Sequence, residues 1–228
     1  MMEYLEGVKK AKTLEIGELL VQAEGTEVKV NGAVHTIRDM GNVAFVILRK
    51  RDGLVQCVFE EGVTAFDLKE LKEASAVEVL GTIRKEERAA HGIEIRLKEI
   101  KVLSEPDEPL PLPISKWKLN TSLEAKLNMR PISLRNVRER AKFKIQEGLV
   151  RSFRDFLYEQ GFTEIHTPKL GAKSAEGGAN LFKLEYFHRP AILQQSPQLY
   201  KQMMVGVFDR VFETGPVFRA EKHNTKRH

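Results

Sequence analysis

The segment FRAEKHNTKRH (218–228) sets Arg219, Lys222, His223, Lys226, Arg227 and His228 around a single acid, Glu221. Guanidinium groups grip phosphate oxygens bidentately, so a basic turn after a strand suits the phosphates of a nucleotide. A solvated basic tail has the same composition. In QSPQLYKQMM (195–204), Gln198 and Lys201 stand three apart and share a face near a helix start. The helix dipole and the lysine charge would both favour a small carboxylate there. An ordinary amphipathic helix with exposed Gln and Lys fits the same spacing. Glu176 lies in the glycine-rich AEGGAN, where close backbone approach lets an acid reach an ammonium group; a solvated loop carboxylate reads the same way. Phe45 interrupts an aliphatic strand. With Gln56 and Glu94 on other strands it could stack a base and bond its edge, although most strand phenylalanines are core.

These residues need elements to hold them. Val28, Val30 and Val34 alternate with polar residues, VAFVILR (43–49) is nearly all apolar, and Asp52-Gly53 signals a hairpin before LVQCVF (54–59). Strands also fit AVEVLGTI (76–83) and IEIRLKEIKVL (93–103), and the spacing of Phe66, Leu68 and Leu71 predicts a helix over 63–74. Five strands with a helix between the third and fourth is the order of an OB-fold barrel. Four prolines in the eight residues 106–113 then make 104–120 a stiff, extended spacer. Val137, Ala141, Ile145, Leu149, Phe153, Phe156 and Leu157 predict a long helix that Gly161 stops. Strands are expected at 162–166, 181–186 and 191–194, and one or two over 210–221. Ser196-Pro197 should open a helix, the serine as N-cap.

The chain of 228 residues is 42% hydrophobic and 30% charged, which supports packed cores. No apolar run is long enough for a membrane span, and the first residues lack a secretory signal. The single cysteine, Cys57, can make neither an internal disulfide nor a four-ligand zinc site, so a cytoplasmic setting is expected. Residues 1–104 carry a net −2 and residues 105–228 a net +7, a balance that suits a polyanion or a solvated face.

The separate features coincide in one family. VNGAVHTIRDMG, VAFVILRKRDGLVQ and GIEIRLKEIKVLSEPDEPLPL resemble, in order and spacing, the barrel of aspartyl-tRNA synthetases of the archaeal and eukaryotic type. GFTEIHTPKL resembles the first class II motif. AEGGANLF, QSPQLYKQMM and VFETGPVFRAEKHNTKRH resemble the amino-acid-binding and second-motif segments. The resemblance implies an α+β chain of two domains. An OB-fold five-stranded β-barrel for the anticodon (1–103) and the linker 104–120 precede a partial class II antiparallel-sheet catalytic domain (121–228).

It also implies roles. Arg219 would bind the ATP α-phosphate and the substrate carboxylate. Ala220 and Glu221 would contact ATP, and Arg227 and His228 would lie over its distal phosphates. Glu176 would hold the ammonium of L-aspartate, Gln198 would position the substrate, and Lys201 would pair with its side-chain carboxylate. Lys201 thus favours aspartate over asparagine. Phe45, Gln56 and Glu94 would read the anticodon of tRNA-Asp, and Pro168 would lie in a homodimer interface. His35 marks family members that also charge tRNA-Asn, whereas Ala90 stands where those members have proline, so the two markers disagree. ATP with Mg2+ is the implied nucleotide, and no residue of this part is assigned a metal. The chain ends inside the second motif, so 228 residues alone are expected to make no adenylate. An asparaginyl enzyme of the same architecture and a non-catalytic tRNA-binding barrel are the other readings.

Overall fold

Alternating apolar and polar residues let a strand bury one face, as in the segments around Val28 and Ile93, while VAFVILR (43–49) is nearly all apolar. The computed structural model describes residues 13–173 and 180–221. In it β1 (Glu27–Asp39), β2 (Val43–Arg49), β3 (Leu54–Glu60), β4 (Ala76–Lys85) and β5 (Ile93–Ser104) close into a barrel, in the order β1-β2-β3-β5-β4. All neighbouring strands are antiparallel except β3 and β5. Val30, Val34, Val46, Leu48, Cys57 and Ile95 are among the residues that fill it. Burial pushes the Cys57 thiol well above its ordinary range, with Glu94 adding to the effect and Lys50 opposing it, so this sulfur is an inert core group. The Lys50 amide donates to the Gly53 carbonyl at 2.8 Å and closes the β2–β3 hairpin as expected.

Two local features differ from expectation. The segment 63–74 is not a helix; a 3-10 turn at Leu68–Glu70 is its only helical piece. The Ala65 amide donates to the Lys98 carbonyl at 2.7 Å, Ala65 bridges Glu99, and Ala74 takes a φ of +71°. The backbone is thus committed to the barrel, while Phe66, Leu68 and Leu71 still pack on its core. A helix not foreseen, α1 (Ile16–Leu20), buries Ile16 and Leu19. Asp52 Oδ2 accepts from the Ile16 amide at 2.8 Å, satisfying one orphan donor of its first turn. Five residues are too few for helical periodicity to show.

The proline-rich segment after β5 has no regular element, yet it buries Leu112, Ile114 and Leu119. It is followed by α2 (Leu123–Asn128), α3 (Arg130–Ser133) and α4 (Val137–Glu159). Asn136 ties these parts together. Its Nδ2 donates to the carbonyls of Ile114 (2.9 Å) and Lys116 (2.6 Å). Its Oδ1 accepts from the amides of Arg138 (3.1 Å) and Glu139 (3.2 Å), capping α4. The chain parts into two compact units between Arg140 and Ala141.

In the second unit α4 ends before Gly161, whose φ of +76° suits a residue without Cβ. β6 (Thr163–Glu164) pairs in parallel with β10 (Val211–Phe212). β7 (Leu170–Gly171), β9 (Arg189–Leu193) and β8 (Lys183–Tyr186) form an antiparallel sheet in the order β7-β9-β8. α4 is held to β6 by Glu164, which accepts from Arg154 Nε at 2.9 Å and Tyr158 Oη at 2.6 Å. Phe212 meets Phe153 and Tyr158 edge to face. α5 (Gln198–Phe208) starts one position later than expected; Pro197 occupies the cap position, and Ser196 Oγ accepts from the Gln198 amide at 3.1 Å. Ile145, Leu149 and Phe156 of α4, and Leu199, Met203 and Val207 of α5, are exposed. Among the described residues no helix is long and apolar enough to cross a membrane.

Candidate nucleic-acid interface and active-site segment

Strand register decides which side chains meet on the barrel surface. Phe45 pairs opposite Val58, Gln56 opposite Glu94, and Glu94 opposite Arg84. Because side chains alternate, Val43 and Phe45, Gln56 and Val58, and Glu94 and Arg96 all line one groove of about 310 Å³. Phe45, Gln56 and Glu94 are therefore brought together. Glu94 is only 4% exposed, and a carboxylate so placed needs partners. Gln56 Nε2 donates to its Oε2 at 3.1 Å, and the Arg84 guanidinium stands 3.7 Å from its Oε1. Arg96 pairs with Glu60 at 3.4 Å. An aromatic wall beside an amide, a carboxylate and two arginines can stack a base, bond its edge and neutralise its phosphate. Arg84 and Arg96 were missed in the sequence. That Arg96 shares a strand face with Glu94 was visible on β5, but the β4–β5 register that adds Arg84 was not.

His35 and Ala90 lie elsewhere. The β1–β2 register shifts between Val34 and Thr36, and this bulge buries both Val34 and His35. Burial first, then the Arg49 and Arg140 charges, push the His35 imidazole below its ordinary range against an opposing pull from Glu73, so it is neutral at physiological pH. Ala90 is exposed in the turn Ala90–Gly92, where His91 and Gly92 both take positive φ.

In the second unit Gln198 is exposed and Lys201 half-buried, both in the first turn of α5. The Phe218 amide donates to the Gln194 carbonyl at 3.0 Å. The Asn180 carbonyl accepts from the Ala220 amide and from the buried Gln195 Nε2, each at 3.2 Å. These bonds run Arg219, Ala220 and Glu221 beside the residues that lead into α5. Glu176, Arg227 and His228 lie outside the described residues. Among the described residues no group of three or more His, Cys, Asp or Glu side chains is placed to hold a metal ion.

Pro168 is exposed and flanked by an anchored pair. Glu213 accepts from Lys169 Nζ at 2.6 Å, from the Thr167 amide at 3.0 Å and from Thr167 Oγ1 at 2.8 Å. Burial opposes the charge of Glu213, but the bonds from Lys169 and Thr167 outweigh it and hold the carboxyl below the usual range. A depressed carboxylate stabilises the fold above its unfolded value, and that part is lost as pH falls through the lower folded value. Glu213→Gln is therefore expected to cost about 1–2 kcal/mol at neutral pH and less in acid. Urea unfolding followed at pH 7 and pH 3 checks this; an equal loss at both would contradict it.

Two family models cover the chain: an OB-fold nucleic acid binding domain over residues 28–103, and tRNA synthetases class II (D, K and N) over residues 122–228. The chain belongs to the class II aminoacyl-tRNA synthetases. It is 47% identical over 209 residues to an aspartate–tRNA(Asp/Asn) ligase of Deinococcus radiodurans, covering 92% of this chain and 47% of that one. The ligase of the same name from Archaeoglobus fulgidus is 43% identical over 212 residues, 91% of this chain and 49% of that one. Asparaginyl-tRNA synthetase from Pyrococcus horikoshii, solved with asparaginyl-adenylate, superposes with a TM-score of 0.82 at 32% identity, covering 95% of this chain and 50% of that one. Aspartyl-tRNA synthetase from Entamoeba histolytica does so with 0.71 at 31%, covering 100% and 49%. The synthetase chain thus spans about half the length of the curated relatives it matches.

Proposed function

We propose that this chain carries the anticodon-reading barrel and the amino-acid-binding segment of an aspartate–tRNA ligase. The observation that carries the reading is the 47% identity to such a ligase across 92% of the chain. The groove built by Phe45, Gln56 and Glu94 supports it. In this reading the barrel receives the anticodon of tRNA-Asp, Phe45 stacking a base. Glu176 holds the ammonium of L-aspartate, Gln198 positions it and Lys201 pairs with its side-chain carboxylate. Arg219 sits between the ATP α-phosphate and the substrate carboxylate, with Ala220 and Glu221 beside the nucleotide and Arg227 and His228 over the distal phosphates. Magnesium would travel on those phosphates and offset their charge.

The reaction needs positioning and charge neutralisation. The α-carboxylate of aspartate attacks the α-phosphorus of ATP, the bond to pyrophosphate breaks, and aspartyl-adenylate forms. The terminal ribose hydroxyl of the tRNA then takes the aspartyl group and AMP leaves. The exposed apolar row of α4, with Pro168, is where a homodimer would form. A cytoplasmic location fits a lone, fully buried thiol.

The test is ATP–pyrophosphate exchange with aspartate and with asparagine, run on a polypeptide of the relatives' length that contains these residues. Exchange with aspartate alone is expected; exchange with asparagine alone would favour the asparaginyl reading, for which the structural likeness to the Pyrococcus enzyme speaks. In that polypeptide Lys201→Gln should lower kcat/KM for aspartate about tenfold and change the asparagine value little, because a lysine gains much more from a carboxylate than from an amide. Equal losses for both amino acids would remove Lys201 from the specificity site. Both tRNA-Asp and tRNA-Asn are the expected acceptors, as His35 suggests; no charging of purified tRNA-Asn would sink that part.

A further inference from the structure

Trp117 is the only tryptophan of the chain and is 73% exposed. It borders a second, smaller cleft of about 180 Å³, lined also by His35, Thr36, Arg38, Ile47 and Lys116. An exposed indole beside a cleft offers a large aromatic face on which a base can stack. The cleft is chemically marked. Its floor is apolar, its rim carries the exposed Arg38 and Lys116, and no acidic side chain of the described residues lines it. His35, 3% exposed and kept neutral by burial and by Arg49, adds no charge, so the attraction for an anion comes from the rim.

The cleft also adjoins the Phe45 groove. Arg38 pairs directly opposite Phe45 across β1 and β2. Ile47 lies two residues along β2 from Phe45 and pairs opposite Gln56, the polar wall of that groove. The two clefts thus adjoin along the outer face of β2, and a single-stranded chain laid on that face would reach both.

We propose that Trp117, with Arg38 and Lys116, forms a second base-stacking site. It would take a neighbouring nucleotide of the same single-stranded RNA loop that the Phe45 groove receives. The proposal rests on the reading of the barrel as an RNA-binding unit and adds a contact supplied by the proline-rich segment. Stacking on the indole face is tolerant of base identity, and Arg38 and Lys116 hold the flanking phosphates.

The test uses the full 228-residue chain and a synthetic RNA hairpin whose loop carries the anticodon GUC. With a single tryptophan, emission excited at the red edge, where the four tyrosines do not absorb, reports on this site alone. Saturable quenching by the hairpin, and none by a blunt RNA duplex, is the expected result. Trp117→Ala should weaken hairpin binding about tenfold, and Trp117→Phe should restore most of it. The exposed position makes misfolding of either variant a minor concern, and the quenching experiment needs no variant at all. If the hairpin binds and Phe45→Ala weakens it, but emission is unchanged and Trp117→Ala binds as wild type, the second site is wrong while the barrel reading stands. If the wild-type chain fails to bind the hairpin at low salt, both fall together.

Discussion

Gly81→Ala is expected to destabilise the barrel by about 3 kcal/mol, at the upper end of what one extra methyl costs in a packed core. A Cβ at Gly81 would stand 2.3 Å from the Arg96 carbonyl oxygen and 2.7 Å from Ile95 Cγ2. The first neighbour is backbone, inside the ladder between β4 and β5, and cannot rotate away. The position coincides with a register shift between Leu80 and Gly81, where the two strands approach closely. Cys57 offers a reporter confined to this unit, because it is the only cysteine and is fully buried in the barrel. Labelling of the thiol across a urea series should move to clearly lower urea in the variant. An unchanged midpoint would mean that β4 and β5 separate cheaply at this point.

Phe45→Ala should have the largest effect on RNA binding, a loss of about 30-fold for the anticodon hairpin, equivalent to ~2 kcal/mol of stacking. Phe45 projects from the outer face of β2, between residues 44 and 46 that face the core. Its removal should therefore leave Cys57 protection nearly intact. The salt dependence should also persist, since the ring contacts a base and not a phosphate. Arg96→Ala makes the contrast: a smaller loss with a shallower salt slope. If Phe45→Ala binds the hairpin as tightly as the wild type, the groove is not where the base stacks.

How much of this was legible beforehand follows from the range of each signal. The strands of the barrel, the Asp52-Gly53 hairpin and the length of α4 are written in local alternation, turn chemistry and helical spacing, and the structure reproduces them. The segment 63–74 has the spacing of a helix, but its apolar residues serve the barrel from an irregular backbone, because hydrogen bonds to β5 outweigh local preference. α1 leaves no periodic trace at five residues. In the second unit Gln198 and Lys201 were readable as a pair on one helical turn, whereas the course of residues 218–220 beside the segment that precedes α5 depends on bonds to Gln194 and Asn180.

The sequence by itself determined the residue types available for chemistry, the two kinds of unit that carry them and the family to which they belong. Tertiary structure alone decided which residues share a surface. Pairing of β4 with β5 sets Arg84 against Glu94, a bulge in β1 draws His35 inside, and the Asn136 bonds hold the proline-rich chain where Trp117 borders the barrel. Each of these is a contact between residues far apart in the chain. Periodicity shows which face of an element is apolar, but it carries no information about the partner that the face will meet or the register at which they join.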